Sequence, residues 1–134
     1  MTEAQKLEAK EHYDNPKNNK ALKVYNAKGI GKNPDNFGMV EMTLLVEDEI
    51  IKEIGYEFKG CPTIAFNSSI FSETVKNETM EEALDVANDL LNRLNGSEMD
   101  DECPKMVLVS FQAAFQNYTN NKNGEEEKEK VLFI

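Results

Sequence analysis

Between Met39 and Lys59 the chain carries two alternating apolar runs separated by three acids, and the second run ends directly on Gly60-Cys61-Pro62. In the first run Val40, Met42, Leu44 and Val46 alternate with Glu41, Thr43 and Leu45; in the second, Ile54, Tyr56 and Phe58 alternate with Glu53, Gly55 and Glu57. A period of two puts each apolar set on one face of a half-buried strand, and Glu47-Asp48-Glu49 is placed to turn the chain between them. This segment is predicted to be an antiparallel hairpin with one apolar face. That face has to be covered, so the rest of the chain must supply the cover.

Helical patterns supply it. After Pro62, Ile64, Ser68, Phe71 and Val75 share one stripe, flanked by the small side chains Ala65, Ser69 and Ser72 that allow close packing on a sheet. Thr79 and Glu82 form a capping box ahead of Met80, Leu84, Ala87, Leu91 and Leu94, whose steps of three and four predict a helix ending at Asn95-Gly96. From Pro104 onward, Val107, Phe111, Ala114 and Tyr118 mark one face of another. Residues 3–13 contain strong helix formers and stop at Asp14-Asn15-Pro16, predicting a short N-terminal helix. His12, the single histidine, reads there as a surface or helix-end residue and not as a ligand. The apolar pulse at Leu22, Val24 and Tyr25 predicts a further short strand, followed by a mobile glycine- and asparagine-rich loop over 26–38. The expected fold class is α+β, an antiparallel sheet of about three strands packed by helices.

Nothing apolar occurs from Thr119 to Lys130, so a domain of residues 1–118 is expected to be followed by an acidic mobile tail, 119–134. Its apolar end, VLFI, can add to a sheet edge or dock on a partner, but a frayed terminus is the leading expectation. At 134 residues there is room for one ordinary domain. Acidic residues outnumber basic ones by 25 to 15, a formal charge of -10, which disfavours nucleic acid and anionic membranes as partners. The start, MTEAQKLEAK, has charges where a signal peptide needs an apolar stretch, and no run approaches a membrane span. A cytoplasmic protein is expected. In that compartment two cysteines read as free thiols, metal ligands or redox groups before they read as a structural disulfide.

Both cysteines precede a proline and an apolar helical run, in G-Cys61-Pro62-TIAF and E-Cys103-Pro104-KMVLVSF. Proline is tolerated at the first helical position, so each cysteine is expected to be a helix N-cap. A thiol there meets unpaired N–H groups and the positive end of the helix dipole, which favour the thiolate that binds metals and attacks sulfur.

With the hairpin, the two helix-start cysteines and their order established, the chain resembles the NifU/IscU-type iron–sulfur cluster assembly scaffolds. The resemblance covers roughly residues 6–118 and rests on EHYDNPKN, the hairpin MVEMTLLVEDEIIKEIGYEFKGC, the segment GCPTIAFNSSIFSETVKNET and the final Cys103 helix ending FQAAFQNY. It implies the NifU/IscU-like (SufE/NifU-type) fold. In that family three cysteines, an aspartate and a histidine converge to assemble a [2Fe–2S] cluster or hold zinc. By resemblance Cys61 and Cys103 match the second and third cysteines, whereas Asn36 stands at the first, Gly38 at the aspartate and Glu102 at the histidine. SEMDD replaces the proline-rich chaperone-recognition segment.

Two thiols cannot complete a four-thiolate site on one chain. Asp35 and Glu102 can complete a two-sulfur, two-oxygen site for zinc or a labile cluster; two chains of a homodimer can bridge one cluster; or the chemistry is lost. The resemblance implies a non-enzymatic scaffold or carrier that receives sulfur from a cysteine desulfurase at Cys103 or Cys61, with Cys103 first, and passes a cluster to acceptor apo-proteins. The loop 26–38 is expected to close over that site. The competing readings are a metal-free adaptor and a thiol redox protein, the latter requiring Cα atoms of Cys61 and Cys103 within about 7 Å.

Overall fold

The computed structural model describes residues 2–95 and 101–134. Its elements run α1 (Glu3–Asp14), β1 (Ala27–Lys32), β2 (Met39–Glu47), β3 (Ile50–Lys59), α2 (Thr63–Val75), α3 (Met80–Asn95), α4 (Glu102–Lys122) and β4 (Lys130–Phe133). The strands form one sheet in the order β3-β2-β1-β4. The class is the expected α+β, with a fourth strand that makes the sheet mixed.

β2 and β3 are the hairpin read from the sequence. Asp48 and Glu49 both have positive φ, 53° and 64°, the backbone of a tight two-residue turn that follows the twist of the strands. Register pairs Ala27 with Leu44, Gly29 with Met42 and Gly31 with Val40, and then Leu44 with Ile54, Met42 with Tyr56 and Val40 with Phe58. These residues share one face of the sheet. Val40, Met42, Leu44, Ile54 and Tyr56 are buried there with Ile64, Phe71, Met106, Val107 and Phe111 from the helices. Each fully buried aliphatic or aromatic side chain contributes roughly 1.5–3 kcal/mol relative to exposure. The core is this single interface between sheet and helices.

Three expectations are corrected. No strand forms at Leu22, Val24 and Tyr25; Val24 is 70% exposed, and the strand lies at 27–32, inside the segment expected to be a mobile loop. The reason is close packing: a Cβ on Gly29 would collide with the backbone of Ser110 and Ala114, and one on Gly31 with the backbone of Met106 and Ser110. The glycines admit α4 against the sheet, so residues that read locally as a loop are strand formers in this context. Only 33–38 remains a loop.

The second correction concerns residues 119–134. α4 continues to Lys122, and β4 pairs in parallel with β1, Gly29 to Lys130 through Lys32 to Phe133. The polar stretch between them is held by Glu127, whose N–H donates to Asn121 Oδ1 at 2.7 Å and whose backbone oxygen accepts from Asn117 and Asn121 at 3.0 and 2.8 Å. The VLFI end is thus a sheet edge, the alternative ranked second from sequence.

The third concerns His12, which is buried. Its Nδ1 lies 2.7 Å from Ser69 Oγ, and the same hydroxyl accepts from the Lys17 N–H. Together with Asn18, whose amide donates to Ser72 Oγ at 2.8 Å, it fastens the N-terminal segment onto the serine side of α2. Among the described residues no helix is long and apolar enough to cross a membrane.

Candidate functional site

The two cysteines arrive at one place from different elements. β3 ends at Lys59, and Gly60, with φ +130°, turns the chain into Cys61, whose carbonyl accepts the Ile64 N–H in the first turn of α2 at 3.0 Å. Pro62 is the cap residue of α2, so Cys61 stands one position outside the helix. Cys103 is not a cap either. Asp101 caps α4 and accepts the Cys103 N–H at 3.0 Å, which places Cys103 inside the first turn with Glu102 before it and Pro104 after. Proline remains tolerated there because the first four N–H groups of a helix have no intrahelical partner.

Though 42 residues apart, the cysteines have Cα atoms 6.3 Å apart, and the structure joins their sulfurs as a disulfide. Cys61 is half-buried, whereas Cys103 is 6% exposed. Cys103, expected to be the first to receive sulfur, is therefore the less accessible of the pair.

Both sulfur-bearing residues line a cavity of about 320 Å³ together with Asn33, Asn36, Lys59, Glu102 and Met106. Glu102 is exposed, and its Oε2 accepts from Asn33 Nδ2 at 2.6 Å. Asn33 is 4% exposed and also accepts the Asp35 N–H at 2.9 Å. Asp35 is itself exposed and is not among the residues that line the cavity. The structure thus brings Cys61, Cys103 and Glu102 together and leaves Asp35 at the margin. Among the described residues no group of three or more His, Cys, Asp or Glu side chains is arranged to hold a metal ion.

Asn36 and Gly38, the positions where the resemblance expected a cysteine and an aspartate, do lie on the cavity wall. Asn36 Oδ1 accepts the Gly38 N–H at 2.6 Å, closing the turn of the loop. A Cβ at Gly38 would lie 2.8 Å from that oxygen and 3.2 Å from the Met106 thioether, both ends of side chains, so a larger residue there would have to displace them. Phe37 at the loop tip is 97% exposed. Sequence reasoning missed Asn33 and Met106. A signal existed for Asn33, since an N-P-D run offers an Asx-type turn, but its partner Glu102 lies 69 residues away. Cys103 also stands at one end of an apolar groove of about 1070 Å³ between α2, α3 and the start of α4, lined by Phe71, Leu90, Val107 and Leu108.

A helix-covered sheet with two cysteines converging at the starts of its second and last helices defines a class, and the comparisons name it. Residues 4–125 match the NifU-like N terminal domain, and the chain belongs to that family. It is 29% identical over 126 residues to the iron-sulfur cluster assembly scaffold protein IscU 1 of Archaeoglobus fulgidus, covering 91% of this chain and 80% of the relative. It is 24% identical over 91 residues to the zinc-dependent sulfurtransferase SufU of Bacillus subtilis, covering 68% and 61%. In fold it is similar to a putative iron-sulfur cluster assembly scaffold protein for the SUF system from Fervidobacterium islandicum, with TM-score 0.68, 17% identity and coverage of 80% and 93%.

Proposed function

We propose that this chain serves iron–sulfur cluster assembly as a scaffold or carrier, accepting sulfur and iron at Cys61 and Cys103 and passing a cluster to an acceptor apo-protein. The observation that carries the reading is the convergence of the two cysteines, 6.3 Å apart at Cα, on one cavity at the end of the sheet. Membership of the NifU-like N terminal domain family supports it, as do relatives named as assembly scaffolds. The sulfur donor is a cysteine desulfurase and the setting is cytoplasmic. The acidic surface favours basic partner faces.

In reduced form the pair offers two soft thiolates, which suit a [2Fe–2S] cluster or zinc as cargo. A full ligand set then needs Glu102 and Asp35 from the same chain, or the cysteine pair of a second copy. Glu102 is the nearer carboxylate, and its release from Asn33 is the cost of using it. Accepting sulfur is stoichiometric transfer, so no turnover is required of the chain, although one relative is named a sulfurtransferase.

The test is anaerobic reconstitution of the reduced chain with iron and sulfide, reading visible absorption with iron and sulfide per chain. A chromophore that disappears in Cys61→Ala and Cys103→Ala supports the scaffold. Iron per chain separates a dimer-bridged cluster from a carboxylate-completed one. A colourless product in which both variants match the parent overturns it. A second reading has its own observation: the Cα separation lies within the range a disulfide needs, which favours reversible thiol–disulfide chemistry at the same pair.

A further inference from the structure

We propose that Cys61 and Cys103 form a persulfide-resolving pair, in which Cys61 receives a sulfur atom and Cys103 releases it as sulfide. The inference rests on the sulfur-accepting role proposed above and deepens it by assigning separate roles to the two thiols and a source to the electrons. Three observations carry it. The cysteines stand at disulfide-compatible separation on the wall of one cavity. They differ in access, Cys61 half-buried on the connection ahead of α2 and Cys103 at 6% exposure inside the first turn of α4. Neither Asn36, committed to its own turn, nor Gly38 offers a further thiol or carboxylate to the cavity.

Sulfur arriving from a donor persulfide must meet a thiolate that another molecule can reach, which selects Cys61. Attack of Cys61 on the terminal sulfur of a donor R–S–SH leaves Cys61–S–SH and returns R–SH. That sulfur is at the oxidation level of elemental sulfur and needs two electrons to become sulfide. Cys103 attacks the Sγ of Cys61; the Sγ–Sγ bond forms, the bond from Sγ to the terminal sulfur breaks, and HS⁻ leaves with the electron pair and the persulfide proton. Both cysteine sulfurs are oxidised to the disulfide and the carried sulfur is reduced to sulfide, so electrons balance without an added reductant. An external dithiol reductant then exchanges with the disulfide to restore both thiols, as ordinary thiol–disulfide exchange permits. Cys103 needs no access of its own to the donor, which agrees with its burial.

The test uses the reduced full chain with one equivalent of glutathione persulfide, without iron or other reductant, followed by intact mass and released sulfide. The expected result is one sulfide per chain and a mass lower by two hydrogens. In Cys103→Ser the chain gains the mass of one sulfur atom, retained on Cys61, and sulfide release falls at least about tenfold. In Cys61→Ser sulfur uptake falls by a similar factor, because the remaining thiol is buried. A parent that keeps the added sulfur, a Cys103→Ser variant that releases sulfide like the parent, or a glutathione adduct in place of the persulfide overturns the proposal. So does a parent that takes up no sulfur. Circular dichroism confirms that both serine variants fold. Reconstitution with supplied iron and sulfide bypasses persulfide resolution, so a chromophore there alongside failure here removes this proposal and leaves the scaffold standing.

Discussion

Asn33 donates its side-chain amide to Glu102 across 2.6 Å, tying the end of β1 to the first turn of α4 at the rim of the cysteine cavity. The Glu102 carboxylate thus has a structural partner on a buried residue. Glu102→Gln keeps an oxygen that can accept from Asn33, so stability should change by less than about 0.5 kcal/mol. Asn33→Ala removes both this bond and the acceptor of the Asp35 N–H and should cost roughly 1–3 kcal/mol. Urea midpoints check both. Reconstituted iron then separates the roles of Glu102: a ligand loses iron in Glu102→Gln, and a purely structural carboxylate does not.

Gly29 and Gly31 decide how close α4 lies to the sheet. A methyl group at either position meets α4 backbone, which cannot rotate away. Gly29→Ala or Gly31→Ala should therefore destabilise by about 3 kcal/mol or more, the range of severe overpacking. Loss of the cooperative thermal transition, or a large drop in its midpoint, is the expected outcome. Because α4 also carries Cys103, a surviving variant should lose the Cys61–Cys103 pairing, read by thiol counting.

The C-terminal strand should be integral to the sheet. Deleting residues 130–134 uncovers the outer edge of β1 and removes the bond from the Ile134 N–H to the Lys32 carbonyl at 3.0 Å. Amide hydrogens of Ile30 and Lys32, which face β4, should exchange at least about tenfold faster in the truncated chain, since local opening costs less when an edge is unpaired. Glu127→Ala should produce part of the same effect by removing the carboxylate that accepts from the Asn117 and Asn120 side-chain amides. Unchanged exchange in the truncated chain would contradict an ordered β4.

Tyr56 should make stability fall in strong base. Its side chain is fully buried, its hydroxyl donates to the Ala65 carbonyl at 3.2 Å, and burial pushes its pKa up to about 12 from 10.0. The unfolded phenol ionises near 10, so between the two values the folded state binds more protons. The contribution of Tyr56 is therefore complete below the unfolded value and is lost as pH rises through the folded one. Tyr56→Phe should cost about 1 kcal/mol at neutral pH and flatten this part of the profile. Denaturant midpoints taken at about pH 9 and about pH 11.5 in parent and variant check it.

The hairpin, α2, α3 and α4 were legible in the sequence because their side chains repeat at two or at three to four residues, and that repetition is a local property of the chain. The convergence of Cys61 and Cys103 was legible only through family likeness, as nothing local links residues 42 apart. Residues 27–32 were illegible as a strand because two glycines that look like a loop are demanded by the backbone of a helix eighty residues further on. VLFI is a strand only because β1 leaves an open edge beside it, and His12 is buried only because Ser69 waits on α2. The exposure of the thiols followed the same rule: sequence placed both at helix starts, and the packing of α4 decided that Cys103 is buried and Cys61 only half-buried. Periodicity determined the elements, since it depends on neighbours in the chain; long-range sterics and edge pairing decided the access and ordering of the site, since those depend on neighbours in space.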